Sequence, residues 1–189
     1  MVKARGWTTR NSGGGLPERW NATLEEAAAT FPCDALAPGG FVALTRAIDV
    51  DASPHLVFRW LCQLRAAPYS YDWIDNLGHR SPRQLSPGLD DLRAGQRFLI
   101  GTITSFVPNQ HITARATPVA ERLFGVVSLT YQVISRGPDA SRMLVRLCVH
   151  PPNRLWERVR YLALAWGDVI MMRKQLLTLK ERAESSASR

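Results

Sequence analysis

Alternating apolar and polar positions dominate the middle of the chain. In residues 41–50, Val42, Leu44 and Ile48 alternate with small or polar neighbours, a two-residue period typical of a half-buried strand. Similar stretches cover the segments 96–106, 112–117, 126–135 and 142–150. Gly137-Pro138-Asp139 separates the last two, so we interpret them as the antiparallel strands of a hairpin.

Two further stretches have a helical period instead. Ser53 and Pro54 are a typical cap and first-turn pair, and apolar residues recur at helical spacing from Leu56 to Leu64. This spacing predicts a helix of about three turns. A shorter helical turn is predicted over residues 24–29, before Pro32 interrupts it.

The longest predicted element is a C-terminal helix over about residues 153–184, roughly 45 Å long at 1.5 Å per residue. Its apolar stripe consists of Leu155, Val159, Leu162, Trp166, Val169 and Leu176. Gly167 and Asp168 interrupt this stripe. The break indicates either a kink or a place where the helix faces a cavity.

Composition bounds the organisation of the chain. With 189 residues, 46% of them hydrophobic and 21% charged, the sequence suits one domain, which we place over residues 23–184. Residues 1–22 contain a polar, glycine-rich stretch that predicts a flexible leader, and residues 185–189 predict a disordered tail. Because the sequence has neither an apolar run of about 18 residues nor an apolar signal core near its start, we expect a cytoplasmic protein without a membrane span.

Charge and cysteine content argue against several classes of protein. The net charge of +8 arises from scattered arginines and not from a block of lysines, which makes nucleic acid a weak candidate partner. Cys33, Cys62 and Cys148 lack metal-binding spacing, and only Cys148 has a nearby histidine, His150, so we predict free thiols and no metal. Because dinucleotide, phosphate-loop and metalloprotease motifs are missing from the sequence, we expect no cofactor. The sequence does not indicate an oligomeric state.

An aromatic and acidic cluster follows the first predicted helix. It reads Tyr69-Ser70-Tyr71-Asp72-Trp73-Ile74-Asp75-Asn76. Its rings combine apolar area with polar tips, which suits the rim of an internal cavity. We therefore predict that Tyr69, Tyr71 and Trp73 bind a ligand together with Trp166, with packing in the core as the alternative.

Three residues are candidates for acid-base chemistry. Tyr71, Asp72 and His111 carry groups that assist enolisation, cyclisation or dehydration when they lie in a cavity that excludes water. The alternatives are structural: Asp72 caps a short helix, and His111 lies on a solvated outer face of the sheet. We predict the same solvated environment for Arg142 and Arg146.

Several local strings, and the order in which they occur, resemble a known superfamily. They are Ala43-Leu44-Thr45-Arg46-Ala47-Ile48, Trp60-Leu61-Cys62-Gln63-Leu64, the Tyr69 to Asn76 cluster, Leu92-Arg93-Ala94-Gly95-Gln96, Met172-Arg173-Lys174-Gln175-Leu176-Leu177 and Leu179-Lys180-Glu181-Arg182-Ala183-Glu184. Over about residues 24–184 the chain resembles the START-like, or SRPBCC, superfamily in its polyketide cyclase/dehydrase-like branch. The resemblance implies an α+β helix-grip fold, in which a curved antiparallel sheet wraps around a long C-terminal helix and encloses a mostly apolar internal cavity. It supplies no universal set of catalytic residues.

The resemblance and the aromatic cluster lead to three hypotheses about function. The first is that the protein binds a hydrophobic small molecule, aromatic or polyketide-like, with cofactor-independent cyclisation or dehydration as a further step. The second is a non-catalytic carrier or sensor of lipid-like ligands. The third is an interaction with RNA or ribosomes through the basic surface, for which salt-dependent binding is the expected signature.

Overall fold

A computed structural model describes residues 15–37, 40–71, 80–152 and 154–188. Its elements, in chain order, are β1 (Arg19–Trp20), α1 (Leu24–Ala28), a 3-10 helix (Pro32–Leu36), β2 (Val42–Val50), α2 (Pro54–Cys62) continued by a 3-10 turn (Gln63–Arg65), β3 (Arg97–Phe98), β4 (Gly101–Val107), β5 (His111–Ala116), α3 (Pro118–Phe124), β6 (Val127–Ser135), β7 (Ser141–Val149) and α4 (Leu155–Ala187).

The seven strands form one open sheet in the order β1-β2-β7-β6-β5-β4-β3. Neighbouring strands are antiparallel except that β1 runs parallel to β2. Strands β6 and β7 pair from Val127↔Val149 to Ser135↔Ser141, which confirms the predicted hairpin. Because α4 packs with α2 against one face of this sheet, the predicted α+β helix-grip fold is confirmed.

One predicted strand is in fact two strands. The pattern predicted a single strand over residues 96–106, whereas β3 ends at Phe98 and β4 begins at Gly101. Leu99, between them, has a φ of 52°, a left-handed conformation that turns the chain out of the strand. At Gly101 an added Cβ would lie 2.2 Å from the carbonyl oxygen of Arg115, so only glycine lets β4 approach β5 this closely.

The inner face of the sheet, which faces α4, carries the main hydrophobic core. Alternate residues of the strands point to this side, among them Ile48, Tyr131 and Val145. Helix α2 contributes Trp60 to the same cluster, and α4 contributes Leu176. The long helix is therefore held on the sheet by apolar contacts.

The N-terminal segment covers the outer face of the sheet, although we predicted a flexible leader up to residue 22. Residues 1–14 of that leader lie outside the described part of the chain, but Arg19–Trp20 form β1, and Ala22 packs with Phe31 in a buried outer-face cluster. Asn21 Nδ2 donates to the carbonyl oxygen of Ala47 at 3.0 Å. The ordered fold thus begins before residue 23, because long-range contacts offset the ordering entropy that local composition suggests.

Helix α4 extends through most of the predicted tail and buries a different stripe from the predicted one. It ends at Ala187, beyond the predicted end of the helix. Its buried residues are Ala165, Val169, Met172, Gln175, Leu176, Leu179 and Ala183, whereas Leu155, Val159, Leu162 and Trp166 of the predicted stripe are exposed. The predicted stripe lies on one side of the helix, but only its C-terminal part, from Val169, is buried. No helix in the described part of the chain combines the length and apolar content that crossing a bilayer requires.

Candidate functional site

A pocket of about 520 Å³ opens between α4 and the inner face of the sheet. Its walls include Leu129, Tyr131 and Leu147 from the strands and Asp168, Met171 and Met172 from α4. Residues 64–68 after α2 and the turn between β3 and β4 border other sides. The size and the mostly apolar walls are typical of small-molecule sites.

An ion pair forms part of one wall. Arg46 on β2 shares the inner face with Leu44 and Ile48, so the two-residue period directs its guanidinium towards α4. Arg46 Nη2 lies 2.8 Å from Asp168 Oδ2, and Arg46 Nη1 donates to the carbonyl oxygen of Glu18 at 2.8 Å. The Arg46 side chain is fully buried, whereas the Asp168 side chain retains 13% exposure and lines the pocket. The pair therefore presents its carboxyl group to the pocket.

Burial shifts the pKa of both partners. It raises the pKa of the Asp168 carboxyl by more than the charge and hydrogen bond of Arg46 lower it. Burial also lowers the pKa of Arg46, against the opposing effect of Asp168. A carboxyl group with a raised pKa beside an apolar pocket has the properties of a general acid or base.

The hydroxyl of Tyr131 is a second polar group at the pocket. It donates to Gln175 Oε1 on α4, and Gln175 Nε2 donates to the carbonyl oxygen of Pro68. Burial raises the pKa of Tyr131 well above its ordinary value, and the charge of Asp168 adds to this effect. The hydroxyl therefore stays protonated at neutral pH, and these bonds tie β6, α4 and the segment after α2 around the pocket.

The aromatic residues predicted to bind ligand are not brought together at this pocket within the described chain. Tyr69 is 1% exposed and packs edge-on against Trp60, with ring centroids 6.1 Å apart, so its position is that of a core residue. Tyr71 is half-buried and does not line the pocket. Asp72 and Trp73 lie outside the described residues, and their roles remain predictions.

His111 and Trp166 also lie away from the pocket. On β5, Ile112 and Ala114 face the core, so alternation directs His111 to the opposite, outer face of the sheet. Partial burial lowers the pKa of His111. Trp166 is 48% exposed on α4. The sheet separates His111 from the pocket, and the catalytic role predicted for it there is not supported by its position.

Sequence reasoning missed most of the polar groups that the structure places at the pocket. The nearest approach is at Asp168, because the break that it makes with Gly167 in the apolar stripe left a kink and a cavity-facing position as alternatives. Arg46 alternates with apolar residues in β2, and Tyr131 lies within an apolar strand. Neither residue has a neighbouring motif, and only the packing of α4 on the sheet reveals their roles.

A second concentration of polar groups lies on the outer face. We call it the outer cluster, and it consists of Glu26, Cys33, Asp34, Arg142, Arg146 and Cys148. The solvated environment predicted for Arg142 and Arg146 was wrong, because α1 and the 3-10 helix after it bury both side chains. Arg142 pairs with Glu26, while Arg146 Nη2 donates to the carbonyl oxygen of Ala27 at 2.7 Å, and its guanidinium lies 4.3 Å from the centre of the Phe31 ring. These arginines are therefore engaged within the protein and do not face an external phosphate.

The thiols of the outer cluster lie close to a carboxylate without completing a recognisable metal site. Cys33 Sγ, a carboxylate oxygen of Asp34 and Cys148 Sγ all lie within 4.8 Å of one another. Structural zinc sites use four ligands. Arg146 Nη1 is also 3.6 Å from Asp34 Oδ1, which places a positive charge beside the three donors. In the described chain this is a buried thiol pair with its sulfur atoms 3.6 Å apart, and we assign it no metal.

Comparisons with known proteins agree with this architecture. No family model matches the sequence, and no curated protein matches it significantly. Among solved structures, one from Thermobifida fusca has a TM-score of 0.52 and 14% identity over 76% of this chain and 93% of its own. A START superfamily protein from Mycobacterium smegmatis has a TM-score of 0.43 and 16% identity, over 77% of this chain and 97% of its own. The di-domain ARO/CYC protein BexL has a TM-score of 0.46 and 17% identity, over 82% of this chain and 52% of its own. At such identities likeness concerns the fold alone, and of these three structures the one from Thermobifida fusca has a TM-score above 0.5.

Proposed function

We propose that the protein binds an apolar small molecule that carries one hydroxyl or carbonyl group. The observation that carries the proposal is the Asp168 carboxyl, which lines an otherwise mostly apolar pocket with Arg46 buried behind it. Buried apolar walls supply affinity for the body of a ligand, and a single polar group fixes its orientation.

The pocket suggests how such a ligand is held. Leu129, Leu147 and Met172 provide apolar surface on two sides. An ionised Asp168 accepts a hydrogen bond from a hydroxyl, and a protonated Asp168 donates one to a carbonyl oxygen. Arg46 keeps the carboxyl in place through its 2.8 Å contact, which lowers the entropy lost when the ligand binds.

Binding is tested with a substitution that fills the pocket and with a matched control substitution on the surface. Native mass spectrometry followed by denaturing extraction identifies any molecule that the protein retains, and titration with the apolar dye Nile red measures affinity. Leu129→Trp, which places a larger side chain in the wall, should weaken dye binding roughly tenfold or more. Leu123→Trp, at an exposed position on α3, should leave it unchanged. Equal affinity in the two variants would reject this pocket.

The hydrogen bond proposed between Asp168 and the ligand is tested separately. Asp168→Asn should weaken binding of a retained hydroxyl-bearing molecule about tenfold, because it replaces a charged hydrogen bond with a neutral one. Binding of Nile red should change little. Unfolding measurements accompany this variant because Arg46 loses its charged partner. An unchanged affinity for the retained molecule would show that Asp168 does not orient it.

Cofactor-independent cyclisation or dehydration is the second candidate function, favoured by the raised pKa of Asp168. The molecule recovered from the protein, or its hydrated or open-chain precursor, is incubated with the protein and followed by chromatography and mass spectrometry. Loss of water or ring closure that disappears in Asp168→Asn supports catalysis. Separate substitutions Tyr71→Phe and His111→Ala test the residues predicted from the sequence. An unaltered molecule after incubation supports the carrier or sensor alternative.

A further inference from the structure

The first half of α4 carries a stripe of large apolar side chains that the protein does not cover. We call it the α4 stripe, and it consists of Leu155, Val159, Leu162, Trp166 and Ile170. Their exposed fractions range from 48% to 80%. Residues 155–164 are all described, and none of them is buried. Three turns of helix therefore present apolar surface to the solvent, which calls for an explanation in a protein with an otherwise well-buried core.

The stripe is continuous and distinct from the packing face. At about 100° per residue, its five members fall within roughly 80° of the helix circumference. The buried residues Val169, Met172 and Leu176 are centred roughly 90° around the helix from the stripe, and Val169 adjoins Leu162. Asp168, which lines the pocket, also lies on the side away from the stripe. The stripe is thus independent of the proposed ligand site.

Basic side chains accompany the stripe. They are Arg154, Arg158, Arg160, Arg173 and Lys174, while the acidic residues over the same length are Glu157 and Asp168. Asp168 pairs with the buried Arg46, and none of the five basic side chains takes part in an ion pair among the described residues. Arg160 instead stacks over the exposed ring of Trp156, with its guanidinium carbon 5.4 Å from the ring centre. The surface therefore combines aliphatic groups, two tryptophans and unpaired positive charge.

We propose that the α4 stripe docks on an anionic phospholipid surface. Leucine, valine and isoleucine enter the boundary between headgroups and acyl chains, tryptophan prefers that boundary, and arginine and lysine pair with lipid phosphates. A helix lying in the plane of the bilayer needs this composition and no membrane-spanning length.

The charges favour a lipid surface over a second copy of the chain. A symmetric dimer through the stripe would bring Arg154, Arg158 and Arg173 towards the same residues of the partner, while the acidic residues over this length of α4 are Glu157 and Asp168, the latter paired with Arg46. Like charges around an apolar contact oppose self-association and favour an anionic partner.

The experiment uses the full chain and vesicles of phosphatidylcholine alone or mixed with phosphatidylglycerol, with binding measured by co-flotation. We expect binding to the mixed vesicles only, weakened by added salt. Leu162→Ser should weaken it about tenfold, because one buried leucine side chain is lost from the interface. Leu24→Ser is the matched control, since the two leucines are 50% and 57% exposed and Leu24 lies on α1. Sedimentation at several protein concentrations reports the oligomeric state of each variant.

These measurements distinguish docking on an anionic phospholipid surface from self-association of the protein. Binding to anionic vesicles that Leu162→Ser weakens and Leu24→Ser preserves supports the proposal. Equal binding to neutral vesicles, no vesicle binding, or equal effects of the two substitutions would overturn it. If the protein does not bind vesicles but forms a concentration-dependent dimer, and Leu162→Ser dissociates that dimer, the stripe is a self-association surface. If Leu162→Ser unfolds, the pair Arg154→Gln and Arg158→Gln replaces it and should remove the preference for anionic vesicles. Pocket binding of Nile red is measured in parallel, so its loss is distinguished from loss of docking.

Discussion

The two faces of the sheet bury their polar groups in opposite ways. On the inner face, apolar side chains pack against α2 and α4, and the Arg46–Asp168 pair borders open space. On the outer face, the N-terminal segment closes directly over Arg142 and Arg146, which contact carboxylates, carbonyl oxygens and an aromatic ring. The inner face retains an open pocket, whereas the charges of the outer face hold the N-terminal segment on the sheet.

This difference has an energetic consequence. A buried ion pair contributes little net stability compared with apolar residues of the same volume, but removing one partner leaves an uncompensated buried charge. Loss of a single charge should therefore be costly at Arg142 and Arg146 on the outer face and also at the Arg46–Asp168 pair on the inner face. Apart from that pair, the inner face should respond mainly to lost apolar volume, and least where a pocket already exists.

The largest effect is expected from Arg146→Ala on the outer face. The substitution removes the partner of Asp34, the donor to the carbonyl oxygen of Ala27 and the group stacked on Phe31. We expect a loss of about 3–5 kcal/mol in the free energy of unfolding, measured by urea denaturation. Arg136→Ala is the control, because Arg136 is 55% exposed, and its contact with Glu26 should contribute less than about 1 kcal/mol. Similar losses in the two variants would contradict the assignment of Arg146 to a buried, structural role.

A smaller difference is expected between two leucines on the inner side. Leu176 is fully buried in the core, so Leu176→Ala should cost about 3 kcal/mol by leaving a cavity. Leu147 is half-buried and already borders the pocket, so Leu147→Ala should cost about 1 kcal/mol, because it enlarges existing space. Urea denaturation measures both. Equal costs would mean that the space beside Leu147 is filled in solution.

Local sequence predicts the strands of the sheet, but it does not predict which segments pack over each face. Alternation in β2 and β7 correctly indicated strands, and it correctly placed Arg142 and Arg146 on one face. It carried no information about what covers that face, because the Arg142–Glu26 contact joins residues 116 positions apart. In α4 the residues up to Trp166 and those from Val169 continue one helical spacing, so the sequence could not show that the stripe is exposed in its first part and buried in its second. The break at Gly167 and Asp168 was more informative, although the sequence left a kink and a cavity-facing position as its alternative explanations.

The smallest effect is a difference in how the two faces respond to acid. Burial raises the pKa of Glu26, but hydrogen bonds from Arg142 and from the backbone of Thr23 outweigh it and hold the pKa below its ordinary value. A carboxyl group of this kind contributes stability that is present above its unfolded pKa of about 4.3 and is lost as the pH falls through the folded value. We therefore expect the free energy of unfolding to fall less steeply below about pH 4 in Glu26→Gln than in the unmodified protein, as measured by denaturation at a series of pH values.

Asp168, on the inner face, affects the pH dependence of the free energy of unfolding in the opposite direction. Its folded pKa is raised by burial, so its contribution to stability is present below its unfolded pKa and is lost as the pH rises through the folded value. As the pH falls from the folded pKa of Asp168 towards its unfolded pKa of about 3.9, this carboxyl group gains stability for the folded protein, whereas Glu26 loses its contribution below about pH 4. Removing the titration of Asp168 in Asp168→Asn should therefore remove that gain and make the free energy of unfolding fall more steeply as the pH drops towards about 4, whereas Glu26→Gln makes the fall below about pH 4 shallower. Parallel shifts in the two variants would show that both carboxyl groups sit in equivalent environments, contrary to the contrast between a sealed outer face and an inner face with a pocket.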